Sequence, residues 1–156
     1  MALEKTFVML KPDALQRGLY GEIISRLEAK GLKFRAAKMF RFTPQLCREH
    51  YAHHAGKPFF PKLVEFMCSA PVLALVLEGK DAVNQVRAMC GATDCGKAAP
   101  GTIRGDLGLS VQSNLIHASD SRETAEAEIA RFFTKEEVTG YPRQAEKSVH
   151  SEDELK

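Results

Sequence analysis

Asn114-Leu115-Ile116-His117-Ala118-Ser119-Asp120 joins an apolar run to two residues that favour helix N-caps, with a single histidine between them. A helical pattern follows from Ser121 to Phe133, with Ala125, Ile129 and Phe132 on its inward stripe. The stretch therefore reads as a strand that ends just ahead of a helix N-terminus, a place that favours anions. A histidine there can act as a base, a nucleophile or a metal ligand, and it can equally be an ordinary core residue. Glu128 falls at the margin of the inward stripe, where an unpaired carboxylate would be costly. Either His117 or a nearby Arg or Lys would satisfy it.

Outward from this stretch, Thr6–Leu10 and Val72–Leu77 are short, continuously apolar runs, the pattern of strands covered on both faces. Lys11-Pro12-Asp13 ends the first, because Pro12 lacks an N–H for the ladder. From Leu32 to Phe42 the pattern alternates. Leu32, Phe34, Ala36, Phe40 and Phe42 take one side and Lys33, Arg35 and Arg41 the other, with Lys38 the misfit. Helical spacing covers Ile23, Ile24 and Leu27 up to Gly31, and Thr43-Pro44 opens a helix expected to reach about His54. Further helices are expected at Lys62–Cys68 and Asp81–Cys90. Gly91 to about Ser113 is irregular and glycine-rich, and a loop of that length in a compact domain is usually functional or misassigned. The order of elements predicts an α+β, ferredoxin-like sandwich, a mainly antiparallel four-stranded sheet covered by helices. One domain is expected over residues 1–138, followed by a charged, loosely attached tail at 139–156.

The 156 residues carry a formal net charge of +2, too little to announce a nucleic-acid or membrane partner. The N-terminus shows no basic segment followed by an apolar one, and no run is long enough to span a bilayer, so a cytoplasmic location is expected. The four cysteines include no C-x-x-C pair and suggest no disulfide framework. Cys95, in a polar loop, is expected to be an exposed thiol. Cys47, His50 and His54 share a helical face at i, i+3 and i+7, a weak metal pattern without an obvious fourth ligand. There is neither a P-loop nor a G-x-G-x-x-G loop. Lys11, Arg87 and Arg104 instead flank expected strand and helix ends and make a weak anion-site signal. Phe59, between Pro58 and Pro61, can be core or a platform for a base. An RNA-binding module on the same sandwich would need aromatic, basic strand motifs, which 31–42 does not match.

Taken together, the motifs form a recognisable series. Lys11-Pro12-Asp13, His50-Tyr51, Lys57-Pro58-Phe59-Phe60-Pro61, Pro100-Gly101-Thr102-Ile103-Arg104-Gly105-Asp106 and Asn114–Asp120 occur in the order and spacing of one family. From about Glu4 to Glu137 the chain resembles a nucleoside diphosphate kinase. The resemblance implies a ping-pong transfer of the γ-phosphate from a nucleoside triphosphate to a nucleoside diphosphate through a phosphohistidine on His117. It implies phosphate contacts from Lys11, Tyr51, Arg87, Thr93 and Arg104, and an approach of Lys11 and Asn114 to the ribose 3′-hydroxyl. It also implies stacking of the base between Phe59 and Val111, orientation of His117 by Glu128, and a place for Ser119 beside the histidine. Mg²⁺ is implied as cofactor, held mainly by the nucleotide's phosphates with no protein side chain as ligand. The implied partners are ATP, GTP and nucleoside diphosphates, and the implied assembly is a homohexamer, with a homotetramer as the alternative. The sequence departs from the family's commoner residues at Ala92, at Cys95-Gly96 and at Ala118.

Overall fold

A computed structural model describes residues 3–154. Strands β1 (Leu3–Leu10), β2 (Lys33–Phe40), β3 (Val72–Lys80) and β4 (Ile116–Ala118) form one sheet in the order β2-β3-β1-β4, every neighbouring pair antiparallel. The expected ferredoxin-like sandwich is what the chain adopts. The two apolar runs lie at its centre, and their side chains alternate between two cores. Val8, Leu10, Leu75 and Leu77 face helices α1 (Pro12–Gln16), α2 (Tyr20–Ala29) and α5 (Ala82–Cys90). Phe7, Met9, Ala74 and Val76 face α3 (Pro44–His50), α4 (Phe60–Cys68) and α7 (Arg122–Phe132). Helices thus pack both faces of the two central strands.

The alternation read along 32–42 does not hold. A bulge lies between Phe34, opposite Leu77, and Ala36, opposite Val76. One extra residue exchanges the two faces of a strand, so Leu32 and Phe34 enter the first core while Ala36, Phe40 and Phe42 enter the second. Lys38 then comes to the rim of that second core. Its ammonium donates to Phe132 O at 2.9 Å, a carbonyl left over at the end of α7, and pairs with Glu137 at 2.7 Å.

Other boundaries move for local reasons. Helix α3 stops at His50, and a separate 3-10 turn spans Ala52–His54. Helix α4 starts at Phe60 with Pro61 in its first turn, and β3 runs on to Lys80. The glycine-rich stretch holds a 3-10 turn at Cys95–Lys97 and α6 (Ile103–Leu107), which Thr102 caps by accepting from Gly105 N at 3.0 Å.

Beyond α7 the chain runs along the outer edge of the sheet. Thr139 N donates to Arg35 O at 2.8 Å, and Arg143 donates to Gly31 O and Leu32 O at 2.7 and 3.2 Å. Lys33 pairs with Glu146 of α8 (Glu146–Val149), and Lys80 with Glu154. Arg143, Glu146 and Glu154, charges of the segment read as a loose tail, thus contact the body. Among the described residues no helix is long and apolar enough to cross a membrane.

Candidate active site

The site begins with a tight bend. Leu115 has φ +73°, and Ile116 N donates to Asn114 O at 2.8 Å, closing a γ-turn around a fully buried leucine. A β-carbon disfavours this left-handed conformation. It is held from both sides, by Lys11 N donating to Leu115 O at 2.8 Å and by Leu115 N donating to Asp13 Oδ2 at 3.0 Å. The turn shortens β4 to three residues and pairs His117 with Met9. Because Met9 faces α3, α4 and α7, so does His117.

Helix α7 brings Glu128 to it. Ser121 caps the helix by accepting from Thr124 N at 3.0 Å, which fixes where its first turn starts. Seven residues after that cap, Glu128 is buried, with its oxygens 2.9 and 3.0 Å from His117 Nε2. Ser119 Oγ donates to Glu128 Oε2 at 2.6 Å. An ionised carboxylate can only accept, so Nε2 carries the hydrogen and Nδ1 keeps its lone pair. Burial acts to raise the Glu128 pKa. The hydrogen bond and charge of His117, the Ser119 hydroxyl and the nearby His50 outweigh it and hold the carboxyl below its ordinary value.

His117 lines a cleft of about 750 Å³, and Lys11, Tyr51, Phe59, Arg87, Thr93, Arg104, Val111, Asn114 and Glu128 line it too. Every expected site residue is therefore brought together except Ser119, which stands behind Glu128 rather than in the cleft. Lys11 is buried and donates to Asn114 Oδ1 at 2.7 Å. Burial first, and then the Arg104 charge, lower its pKa to about 8 against the opposing pull of Asp13 and Cys95. Asn114 in turn donates to Thr93 O and Val111 O, at 3.1 and 2.9 Å. Arg104 is equally buried and donates to the carbonyls of Gly91, Asn114 and Ile116, so one guanidinium ties three segments together at the cleft wall. At the mouth Phe59 and Val111 are 47% and 59% exposed, an apolar pair left open to solvent. The Tyr51 hydroxyl is buried with no hydrogen-bond partner among the described residues, and burial raises its pKa.

Sequence reasoning missed His54 and Gln112, which also line the cleft. His54 Nδ1 accepts from Lys57 Nζ at 3.1 Å, and its ring stands edge-on to Phe59 at 5.2 Å. The available signal was its position between Tyr51 and Phe59, both already suspected. The metal pattern Cys47–His50–His54 does not assemble: Cys47 is buried in the second core and His54 turns to the cleft. Among the described residues the one trio with metal-ligating atoms close together, within 4.8 Å, is His50, His117 and Glu128. Its carboxylate is already engaged by His117 and Ser119, and Arg131 donates to His50 Nδ1 at 3.0 Å. Cys95 is not an exposed thiol either. The loop folds its sulfur against Gly108, where a Cβ would lie 2.3 Å from Sγ.

Comparison with known proteins follows the same lines. The family model for nucleoside diphosphate kinase matches residues 4–138. A nucleoside diphosphate kinase of Archaeoglobus fulgidus is 51% identical over 150 residues, covering 96% of this chain and 99% of that protein. One of Staphylococcus aureus is 52% identical over 145 residues, covering 92% and 97%. Among solved structures, a halophilic nucleoside diphosphate kinase from Halobacterium salinarum in complex with CDP superposes with a TM-score of 0.93. It is 52% identical and covers 96% of this chain and 99% of that one.

Proposed function

The chain belongs to the nucleoside diphosphate kinase family and is a nucleotide phosphotransferase, and from that premise we propose how its own residues carry out the transfer. His117 Nδ1 attacks the γ-phosphorus of a nucleoside triphosphate. The N–P bond forms as the bond from the γ-phosphorus to the β–γ bridging oxygen breaks, and the diphosphate leaves. In the second half a terminal β-phosphate oxygen of another diphosphate attacks the same phosphorus, and the N–P bond breaks. Throughout, Nε2–H stays on the ring, and Glu128 stabilises the positive charge that develops there. The observation that carries this reading is the Nε2–Glu128 bond, which commits one ring nitrogen and leaves the other as the nucleophile in a cleft walled by Lys11, Arg87 and Arg104.

Phosphoryl transfer needs mostly in-line positioning and charge neutralisation, and those three cations with Thr93 and Tyr51 are suited to both. Lys11 and Asn114 reach the ribose 3′-hydroxyl, and Ser119 steadies Glu128. The base lies between Phe59 and Val111, a stacking contact that accepts any base. The donor set fits a Mg²⁺ carried by the nucleotide's own phosphates: of the two carboxylates lining the cleft, Glu128 is engaged by His117 and Ser119, and Asp120 is open to solvent. When bound, the ion neutralises phosphate charge. A cytoplasmic location and a homo-oligomer, a homohexamer with a homotetramer as the alternative, belong to the same proposal. Leu109, 97% exposed just after α6, is an apolar surface such an assembly would cover.

Incubation with γ-labelled ATP and Mg²⁺ should label the protein with an acid-labile, base-stable phosphate that GDP or CDP removes. Label retained by His117→Ala would refute the assignment of the nucleophile.

A further inference from the structure

Behind the nucleophile lies a second histidine that the transfer itself does not use. His50 closes α3 and is 4% exposed, enclosed by Phe7, Phe42 and Phe132 at ring separations of 6.4, 6.1 and 5.0 Å. Its ring stands nearly perpendicular to His117, at 78° and 5.2 Å between centroids. Arg131, reaching in from the exposed side of α7, donates to His50 Nδ1 at 3.0 Å. A guanidinium has no acceptor, so Nδ1 must accept. The hydrogen of neutral His50 is therefore on Nε2, which is buried without a partner among the described residues.

We infer that Arg131 and His50 are a positioning pair: Arg131 locks His50 as the neutral Nε2–H tautomer, so that Glu128 keeps His117 and Ser119 as its hydrogen-bond partners. The inference rests on reading His117 as the phosphorylated residue. The groups facing His50 are Tyr51 and His53 beyond the end of α3, His117 from β4, and Glu128 and Arg131 from α7. Glu128 alone draws a second proton onto His50. Burial opposes it most strongly, His117, Arg131 and His53 add to that opposition, and His50 is pushed down to about 3. Without Arg131 the ring is free to turn about its Cβ–Cγ bond and to exchange tautomers. Its N–H can then swing toward the carboxylate that fixes His117, and the hold of Glu128 on the Nε2–H tautomer of His117 is shared.

The test is ¹⁵N NMR of histidine-labelled full-length protein without nucleotide, paired with the rate of phosphoenzyme formation from γ-labelled ATP. Wild type should show His50 unprotonated at Nδ1. Arg131→Met should show mixed tautomers at His50 and slow labelling roughly 5-fold, the loss of about 1 kcal/mol of hydrogen bonding at His117. Arg131→Lys, which keeps a charged donor, should restore the wild-type behaviour. A protonated Nδ1 in wild-type His50, or an Arg131→Met protein whose spectrum or labelling rate superposes on wild type, would overturn the inference. His117→Ala run alongside separates the two questions: retained label there refutes the nucleophile, whereas the His50 signals are read without turnover.

Discussion

Replacing Glu128 by glutamine changes a charge with little change of shape. The amide oxygen can accept from His117 Nε2–H as the carboxylate does at 2.9 Å. The amide nitrogen can donate to Ser119 Oγ, whose own hydrogen is then free for Phe7 O at 3.4 Å. The shorter contact to Nε2–H and the Ser119 contact are kept while the second contact, at 3.0 Å, is lost, so the main loss is that of a charged acceptor beside a ring that becomes positive as the N–P bond forms. A charge-assisted hydrogen bond contributes ~1.5–3 kcal/mol and a neutral one ~0.5–1.5 kcal/mol, a difference of roughly 1–2 kcal/mol. The phosphorylation rate should therefore fall roughly 5- to 30-fold. Glu128→Ala also leaves Nε2–H without a partner and should fall by about 100-fold or more. Rapid-quench measurement of labelling by γ-labelled ATP reads both. If the Gln and Ala variants slow equally, or if Gln keeps the wild-type rate, the charge argument fails. Stability supplies a second check. The folded-state pKa of Glu128 lies below its unfolded value, so its contribution is complete above the ordinary carboxylate range and is lost as pH falls through the lowered value. The glutamine variant should lack that part of the acid sensitivity.

Lys11, lowered from 10.5 to about 8, predicts an alkaline limb near that pH in kcat/KM, because loss of its charge weakens the hold on phosphates. The same shift makes the unfolded chain bind more protons between those two values, so the burial penalty is complete below about 8 and stability rises as pH climbs through the window. Lys11→Arg should remove the kinetic limb, and a limb that persists would assign it to another group. At Leu115, alanine keeps the disfavoured φ of +73° while glycine tolerates it. Leu115→Gly should therefore be the more stable of the two by about 1 kcal/mol in urea unfolding, and the opposite order would show that the turn is not strained.

The central strands were legible because an apolar run covered on both sides leaves no other reading. The His117–Glu128 pair was legible because helical spacing turned a carboxylate inward toward the element's own head. The bulge at Phe34–Ala36 was not, since a one-residue insertion leaves composition unchanged and reverses only which side each residue faces. Helix α6 was hidden because its five residues are too few to show a period, and its cap, Thr102, is one of many polar residues in a glycine-rich stretch. The buried state of Cys95 depends on Gly108 thirteen positions away, a contact that no local pattern announces. The docking of residues 139–154 depends on pairing with carbonyls and charges of the edge strand and the turn before it, while its composition reports only polarity.

Arg104 spends its guanidinium on three main-chain carbonyls and still lines the cleft where the phosphates are proposed to lie. An arginine whose only partner was a ligand could drift under selection, with affinity raised or lowered one mutation at a time. This one is also a rivet of the framework, so a substitution that retunes the cleft would loosen the strand bearing His117 in the same step. A change at the open mouth, around Phe59 and Val111, carries no such double cost, because neither side chain is shown holding the framework.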